Sequence, residues 1–324
     1  MGCYSIKSLN IVKGRMSKIA LMFPGQGSQT VGMGKDLYEK YSKAKEIIDL
    51  AGNDIKDVIF NGPESTLKLT QYAQPAIFTV SMAIFEVFKA NYNFVNSEFV
   101  AAGHSLGEYC ALCAAGFFSF KDGLEMVKAR GKFIQEASCK NPGTMAAILG
   151  MQKEQVLDIC IKASSYGTCE AVNFNSPGQI VIAGVSAAVN KAMEIANEAG
   201  AKTVILNVSG PFHSSLMNSA SDAMSRELEK YNFNNPFFGV YTNCDAQLTK
   251  DVSQIKEKLV AQIKNSVKWD ESMQNMILLD YEKFIEIGPG KVLSGLLRRI
   301  DKTKKTLNIE DSISLQKTLE ELSK

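Results

Sequence analysis

The stretch from residue 144 to residue 206 constrains the fold most, because short apolar runs alternate there with amphipathic segments in one regular order. Breaker residues divide it into four predicted strands and two predicted helices, at 144–149, 153–163, 170–174, 179–183, 186–199 and 202–206. The resulting order, βαββαβ, is typical of a ferredoxin-like module. Because this module lies inside the chain, we expect residues 141–207 to form an inserted subdomain.

The segments on either side of the insertion alternate strands with helices, which favours a parallel sheet covered on both faces. Ligands bind such sheets beyond the carboxyl ends of the strands, so the functional residues should lie there. We therefore expect an α/β-class core made of residues 16–140 and 208–324. Its strands are predicted at 18–23, 98–102, 238–241 and 283–287, and its helices at 36–50, 75–92, 105–115, 121–138, 214–230, 251–264, 291–300 and 312–323.

The charge balance and the cysteine count argue against several classes of protein. The 324 residues carry 36 Lys and Arg against 34 Asp and Glu, and a net charge of +2 is too small for a strongly basic nucleic-acid binder. No apolar run approaches the roughly 18 residues of a membrane span. Seven cysteines are an odd number in a long chain, which favours free thiols in a reducing, cytoplasmic setting over a disulfide framework.

Residues 1–15 are predicted to lie outside the fold as a leader or extension. They contain three positive charges and no acidic residue, and their apolar positions do not form the core of a secretory signal. Ile6 stands where N-terminal myristoylation requires Ser or Thr. Two interpretations stay open: an upstream start codon, since Met16 opens a natural beginning, or an organelle-targeting leader, which would replace the cytoplasmic location.

A nucleophile candidate is Ser105 in the segment 103–107 (GHSLG), which matches G-x-S-x-G between a predicted strand and a predicted helix. The glycines permit a sharp turn that lifts the serine hydroxyl out of the sheet. The helix N-terminus offers free N–H groups to a developing oxyanion. The alternative is a tight turn with a helix-capping serine.

Only two histidines, His104 and His213, are available as a base for this serine. His104 adjoins Ser105, and neighbouring side chains on a sharp turn point apart. His213 follows the apolar run 204–208 and a Gly-Pro breaker, which predicts a loop at the carboxyl edge of the sheet. A lone histidine is more often structural than catalytic, but elimination favours His213 as the base.

Arg130 lies on the apolar face of the helix predicted at 121–138, between Val127 and Ile134. A charge on a core-facing stripe costs free energy unless it is paired. One interpretation is a structural arginine that reaches solvent or forms an internal salt bridge. The other is a fixed guanidinium that holds a ligand carboxylate at two points.

Sequence signals for cofactors and metals are weak. The loop 24–34 contains Gly-Gln-Gly, but Thr30 replaces the third glycine of a dinucleotide fingerprint, and no Walker A sequence is present. Cys110 and Cys113 would lie one turn apart on a buried helix, which indicates core packing rather than a metal site. We therefore expect no metal and no cofactor.

Six blocks of sequence stand in an order that points to a known family: FPGQGSQ (23–29), GHSLGEY (103–109), KARGKFIQEA (128–137), NFNSPGQIVIAG (173–184), GPFHSSLM (210–217) and EIGPGKVLSGL (286–296). Together they closely resemble the malonyl-CoA:acyl carrier protein transacylases of type II fatty acid synthesis. The resemblance extends over about residues 16–310. It implies an α/β-hydrolase-like core with an inserted ferredoxin-like subdomain, in agreement with the element order above.

The resemblance also implies roles for individual residues. Ser105 matches the family's nucleophile, and His213 matches its base. Arg130 matches the arginine that pairs with the malonyl carboxylate. The backbone N–H groups of Gln26 and Leu106 match the oxyanion hole, which would explain the glycines around Gln26.

Two further positions bear on specificity and on the orientation of the histidine. Phe212 is similar to the pattern of malonyl-selective acyltransferases, where a bulky ring could exclude an α-methyl group. The family often has an N-P-V-Q-W-like segment whose backbone carbonyl orients the histidine. Here the segment 265–269 is N-S-V-K-W, and we expect Lys268 to keep that role despite the loss of proline.

The implied reaction is transfer of a malonyl group from malonyl-CoA to the pantetheine thiol of acyl carrier protein through a malonyl-serine, which supplies extender units for fatty acid synthesis. We expect a monomer that binds neither nucleic acid nor a membrane. One alternative is a hydrolase on the same Ser–His pair, although a general esterase has no use for a carboxylate clamp at Arg130. The other is a carrier-docking module with a decayed site, against which the intact Ser105 and His213 argue.

Overall fold

The computed structural model describes residues 16–324, and its strands form two separate sheets. Six strands form a mostly parallel sheet, here called the larger sheet, and the four consecutive strands β3–β6 form an antiparallel one, the smaller sheet. The strands are β1 (Ser17–Phe23), β2 (Ser97–Gly103), β3 (Thr144–Leu149), β4 (Cys169–Ser176), β5 (Gln179–Gly184), β6 (Lys202–Ile205), β7 (Gly239–Tyr241), β8 (Leu248–Thr249), β9 (Lys283–Ile287) and β10 (Lys305–Ile309).

Helices connect these strands and cover both faces of the larger sheet. Short 3₁₀ helices lie at Phe94–Asn96, Ser164–Tyr166 and Ser215–Met217. The α-helices are α1 (Lys35–Lys40), α2 (Ser42–Leu50), α3 (Asn53–Asn61), α4 (Glu64–Leu67), α5 (Thr70–Asn91), α6 (Gly107–Ala115), α7 (Phe120–Lys140), α8 (Lys153–Ala163), α9 (Ser186–Glu198), α10 (Asn218–Leu228), α11 (Val252–Lys264), α12 (Trp269–Leu278), α13 (Val292–Ile300) and α14 (Ser312–Leu322).

The larger sheet has the strand order β10-β9-β1-β2-β7-β8, with β8 antiparallel to β7 and the other pairs parallel. Its central strand β1 is apolar along most of its length because both faces are covered. Leu21 and Phe23 face one hydrophobic core, and Ala20 and Met22 face another on the opposite side. The predicted parallel sheet with two covered faces is therefore confirmed.

The smaller sheet has the strand order β4-β5-β3-β6 and is antiparallel throughout. Helices α8 and α9 cover one face, where Ile148, Ile182 and Val189 are among the buried residues of its own core. The other face packs Met145 and neighbouring residues against Phe212 and the chain that follows β6. This is the arrangement of a ferredoxin-like module, as the order βαββαβ predicts.

Several elements differ from the prediction. The helix expected at 36–50 is two helices, because Tyr41 adopts an extended backbone conformation between them. The helix expected from Pro75 begins five residues earlier, at Thr70, and contains the proline. Helices α3, α4 and α12 and the strands β8 and β10 were not predicted; β10, with the sequence KTLNI, lies at an edge of the larger sheet and lacks a continuous apolar run.

The described residues also bear on the expected absence of a membrane-spanning helix and of a metal site. Across residues 16–324, no helix combines the length and the apolarity that crossing a membrane would take. The same residues contain no group of three or more His, Cys, Asp or Glu side chains placed to hold a metal ion. The leader expected at 1–15 lies outside the described residues.

Candidate active site

Ser105 lies on a sharp turn between β2 and α6, beyond the carboxyl end of its strand. Its backbone φ of 53° is in the left-handed region, which a serine adopts only where the surroundings enforce it. The side chain of Asn243 enforces it here: its Oδ1 accepts from the Ser105 N–H at 2.7 Å, and its Nδ2 donates to the Gly103 carbonyl at 2.7 Å. Gly107 lets the turn lie against β1, since a Cβ there would stand 2.0 Å from the Phe23 carbonyl oxygen.

His213 lies 2.8 Å from the Ser105 hydroxyl, measured between Nε2 and Oγ. Its other ring nitrogen, Nδ1, lies 2.8 Å from the Gln262 backbone carbonyl oxygen. A carbonyl oxygen can only accept, so Nδ1 carries the proton and Nε2 is left to accept from the serine hydroxyl. The predicted nucleophile and base are thus side by side, although 108 residues separate them.

Burial keeps the His213 imidazole neutral. The side chain is buried, and loss of hydration, together with the charge of Arg130 nearby, lowers the pKa of His213 from 6.5 to about 3. A neutral imidazole with a free Nε2 is the form that can accept a proton from a serine hydroxyl.

The prediction that Lys268 orients the histidine is wrong. Lys268 is the N-terminal cap of α12, and its carbonyl accepts from the backbone N–H and the hydroxyl of Ser272. The acceptor for His213 is the carbonyl of Gln262, in the last turn of α11. Carbonyls in the last turn of a helix lack an intrahelical partner and are free to accept other hydrogen bonds. The predicted end of the helix 251–264 could therefore have indicated Gln262 as an acceptor.

Arg130 is 1% exposed and points from α7 to the same serine. Its Nη2 donates to Ser105 Oγ at 3.1 Å and to Gln262 Oε1 at 3.0 Å, and its Nη1 donates to Gln74 Oε1 at 2.8 Å. The guanidinium carbon lies 5.5 Å from the centre of the Tyr109 ring. Within residues 16–324 it forms no salt bridge, so the internal ion pair considered from the sequence is absent there.

The loop that carries Gln26 lies directly against the Ser105 turn. A Cβ on Gly25 would stand 2.3 Å from the His104 carbonyl oxygen, so only glycine permits this approach. The Gln26 side chain is fixed by donation to Thr70 Oγ1 at 3.2 Å. Leu106 is the N-terminal cap of α6, a position whose N–H has no intrahelical acceptor.

A cavity of about 340 Å³ opens between the two sheets at these residues. Gln26, Ser105, Arg130, Phe212 and His213 line it from the core. The smaller sheet and the chain after it supply Met145, Asn173, Leu206, Asn207 and Val208. The cavity therefore brings the candidate nucleophile, a neutral imidazole and a guanidinium without a salt bridge in the described residues to one surface.

A buried polar network below the cavity was missed from the sequence. Glu108 is fully buried, and its Oε2 accepts from the Asn243 N–H at 2.9 Å and from Gln262 Nε2 at 2.8 Å. Burial raises the pKa of the Glu108 carboxyl to about 7. A glutamate on an otherwise apolar helix, three residues after the serine, was the available signal. Cys110, on the same helix, lies in the hydrophobic core as expected.

Comparison with known proteins gives one consistent family. The acyl transferase domain family matches residues 21–320. The malonyl CoA-acyl carrier protein transacylase of Bacillus subtilis (strain 168) is 43% identical over 313 residues, which cover 95% of this chain and 98% of that protein.

Solved structures agree. The crystal structure of malonyl CoA-acyl carrier protein transacylase from Clostridium perfringens superimposes with a TM-score of 0.90 at 41% identity, over 95% of this chain and 98% of that one. A malonyl-transacylase in complex with its type II polyketide synthase acyl-carrier protein gives a TM-score of 0.90 at 38% identity, over 94% and 100%. These matches confirm the family predicted from the six sequence blocks. The chain belongs to the acyl transferase domain family, among the malonyl CoA-acyl carrier protein transacylases.

Proposed function

We propose that the protein transfers the malonyl group of malonyl-CoA to the phosphopantetheine thiol of acyl carrier protein, through a malonyl ester on Ser105. The observation that carries the proposal is the 2.8 Å contact between Ser105 Oγ and His213 Nε2, with Arg130 on the same hydroxyl. The names of the relatives and the solved complex with a carrier protein support the choice of donor and acceptor. The product would supply extender units for fatty acid synthesis.

The first half of the reaction acylates Ser105. His213 Nε2 takes the hydroxyl proton as Oγ attacks the thioester carbonyl, and the Gln262 carbonyl stabilises the imidazolium through Nδ1–H. The backbone N–H groups of Gln26 and Leu106 stabilise the oxyanion, a contribution typically worth about 3 kcal/mol for each donor. His213 returns the proton to the departing CoA thiolate.

The second half reverses these roles with a different thiol. His213 removes the proton from the pantetheine thiol of acyl carrier protein, and the thiolate attacks the malonyl ester. The tetrahedral intermediate collapses with release of Ser105, whose Oγ recovers its proton from His213. This chain supplies a nucleophile, a base and hydrogen-bond donors, and the proposed steps use no other group.

Arg130 gives the site its preference for an acid. Its guanidinium has donors to spare for a malonyl carboxylate, which it can hold at two points. Phe212 lines the same cavity, where its ring would limit substituents next to the carboxylate. The arginine also separates this function from general ester hydrolysis, because a neutral acyl chain would gain nothing from a buried charge.

The domain division that this function uses follows the two sheets. We assign residues 16–140 and 208–324 to the acyltransferase core and residues 141–207 to the inserted subdomain. The positions of β3 to β6, all between residues 144 and 205, support these limits.

Intact-mass analysis after brief incubation with malonyl-CoA tests the proposal. We expect one malonyl adduct on the parent protein, its loss when acyl carrier protein is added, and no adduct on Ser105→Ala. An adduct of normal yield on Ser105→Ala would place the nucleophile elsewhere. An adduct that water removes as fast as acyl carrier protein does would favour a hydrolase.

A further inference from the structure

The partners of Arg130 are unusual for a buried arginine. Buried charged side chains are normally paired with an opposite charge. In residues 16–324, however, the guanidinium is held by two side-chain amide oxygens, Gln74 Oε1 at 2.8 Å and Gln262 Oε1 at 3.0 Å. Gln74 comes from α5 and Gln262 from α11, and both are 2% exposed or less. Two helices thus each contribute one neutral acceptor to the same cation.

The orientation of the Gln262 amide is fixed by its other contacts. Its Nε2 donates to the Glu108 carboxylate and to the Ser105 carbonyl, both at 2.8 Å. These two acceptors require the NH₂ group, so the oxygen of the amide must face Arg130. Gln74 lines the cavity together with Arg130 and Ser105.

The chemistry of these acceptors matters because an amide oxygen orients a guanidinium without cancelling its charge. A carboxylate in either position would form a buried ion pair, and the electrostatic attraction of Arg130 for a second anion would fall. A methionine would fill the space but would leave the guanidinium without its acceptor.

We propose that Gln74 and Gln262 are specificity-determining positioning residues, which aim Arg130 at the acyl group and leave its charge free for a carboxylate. The inference rests on the proposed function, since it concerns the same malonyl group. It adds that the neutrality of two glutamines, and not the arginine alone, sets the preference for malonyl over acetyl.

The test compares Gln74→Glu, Gln74→Met and Gln262→Glu with the parent, using kcat/KM for acylation by malonyl-CoA and by acetyl-CoA. We expect the malonyl-to-acetyl ratio to fall on the order of 100-fold in Gln74→Glu, mostly through KM for malonyl-CoA, with acetyl transfer far less affected. The malonyl-to-acetyl ratio of Gln74→Met should lie between that of Gln74→Glu and that of the parent. Gln71→Glu, at an exposed position one turn earlier on α5, is the matched control and should keep the parent ratio.

The order of the variants separates positioning from a merely structural role. A structural role predicts that Gln74→Met is at least as damaging as Gln74→Glu, and that both acyl donors suffer equally; either result overturns the inference. If circular dichroism shows that Gln74→Glu does not fold, Gln262→Glu and Gln74→Met take its place in the test. An unchanged malonyl-to-acetyl ratio in whichever of them folds overturns the inference.

The parent protein distinguishes this failure from failure of the proposed function. A parent that forms no malonyl adduct on Ser105 contradicts the function itself. A parent that forms the adduct, with an unchanged ratio in the glutamate variants, contradicts only the role of the glutamines.

Discussion

The two sheets contribute to the cavity in different ways. The core supplies Ser105 on the β2–α6 turn, Arg130 on α7 and His213 in the turn before the 3₁₀ helix Ser215–Met217, and each is held by a hydrogen bond to another core residue. The smaller sheet lines the cavity with Met145 and Asn173 but makes no hydrogen bond to those three side chains within residues 16–324. The candidate reacting groups are therefore held by the core, and the smaller sheet contributes lining residues to the cavity.

The two sheets are nevertheless joined at defined points. Asn175 of β4 contacts the His104 ring, with 2.9 Å between Oδ1 and Nε2. Backbone hydrogen bonds connect β4 to Val267, at 2.8 Å from its N–H and 2.9 Å to its carbonyl. Because none of these contacts involves Ser105, Arg130 or His213, changes in each sheet should have separable effects, and four predictions test that separation.

The largest effect is expected from His213→Ala, which removes the base from the core side of the cavity. Acylation by malonyl-CoA should slow by roughly 10³-fold or more, because both proton acceptance and activation of Ser105 are lost. Stopped-flow or quenched-flow acylation measures this, with circular dichroism as a check of the fold. A folded variant that reacts at the parent rate would show that the base lies elsewhere.

Gly25→Ala should give the next largest effect, because it moves the Gln26 loop and not a reacting side chain. The added Cβ would stand 2.3 Å from the His104 carbonyl oxygen, so the loop must shift away from Ser105. We expect kcat to fall about 100-fold, the cost of losing one oxyanion donor. Gly295→Ala, on an exposed position of α13 with no atom within 4 Å of the new Cβ, is the control and should keep full activity. Equal activity in the two variants would contradict the assignment of Gln26.

The pH dependence of acylation should show that burial lowers the pKa of His213. Because burial lowers the pKa of His213 from 6.5 to about 3, its neutral, proton-accepting form persists as the pH falls through 6.5. An unperturbed histidine would lose about 30-fold of its neutral form between pH 8 and pH 5, whereas kcat/KM for malonyl-CoA should change little over that interval. An acid limb near pH 6.5 that persists in Glu108→Gln would contradict the neutral, buried base; a limb that this variant removes would belong to the Glu108 carboxyl, whose pKa burial raises to about 7.

The smallest effect on chemistry is expected from Ile182→Ala, in the core of the smaller sheet. Ile182 lies on β5 and is fully buried under the helices α8 and α9. The cavity that the alanine leaves should lower the free energy of unfolding by about 3 kcal/mol. Per folded molecule, the malonyl-serine yield and rate should stay within about two-fold of the parent, because no reacting group moves. Thermal denaturation and acylation at a temperature where the variant is folded measure both, and a large loss of acylation would show that the smaller sheet also positions the chemistry.

Local sequence patterns were sufficient for the elements whose causes are local. The turn at Ser105 follows from glycines at fixed spacing between a strand and a helix, and the order βαββαβ follows from alternating apolar runs. The proximity of Ser105 and His213 could be predicted for a different reason, because the chain has only two histidines. The edge strand β10 escaped because its sequence KTLNI has no continuous apolar run, whereas α12 was missed although its buried residues Trp269, Met273 and Met276 recur at helical spacing.

The remaining residues of the site depend on contacts between distant segments. Gln262 orients His213 through a backbone carbonyl, which any residue carries, and holds Arg130 through an amide that needs Glu108 to orient it. Lys268 was chosen from sequence likeness alone, and its carbonyl is already used inside α12. Gln74 is one of several polar residues in the long, largely apolar helix α5. Its partner Arg130 lies on another helix, so the sequence near Gln74 gave no indication of this contact.

The order of strands in the larger sheet has a consequence for the synthesis of the protein. The central strand β1 pairs with β9 through Met22 and Glu286, near opposite ends of the chain. A ribosome delivers the N-terminal strand first, so β1 must wait for almost the whole chain before its second neighbour appears. The smaller sheet needs only residues 144–205 and can close much earlier. We therefore expect newly made protein to carry a finished insertion inside an unfinished core, with one edge of β1 unpaired until β9 has been synthesised.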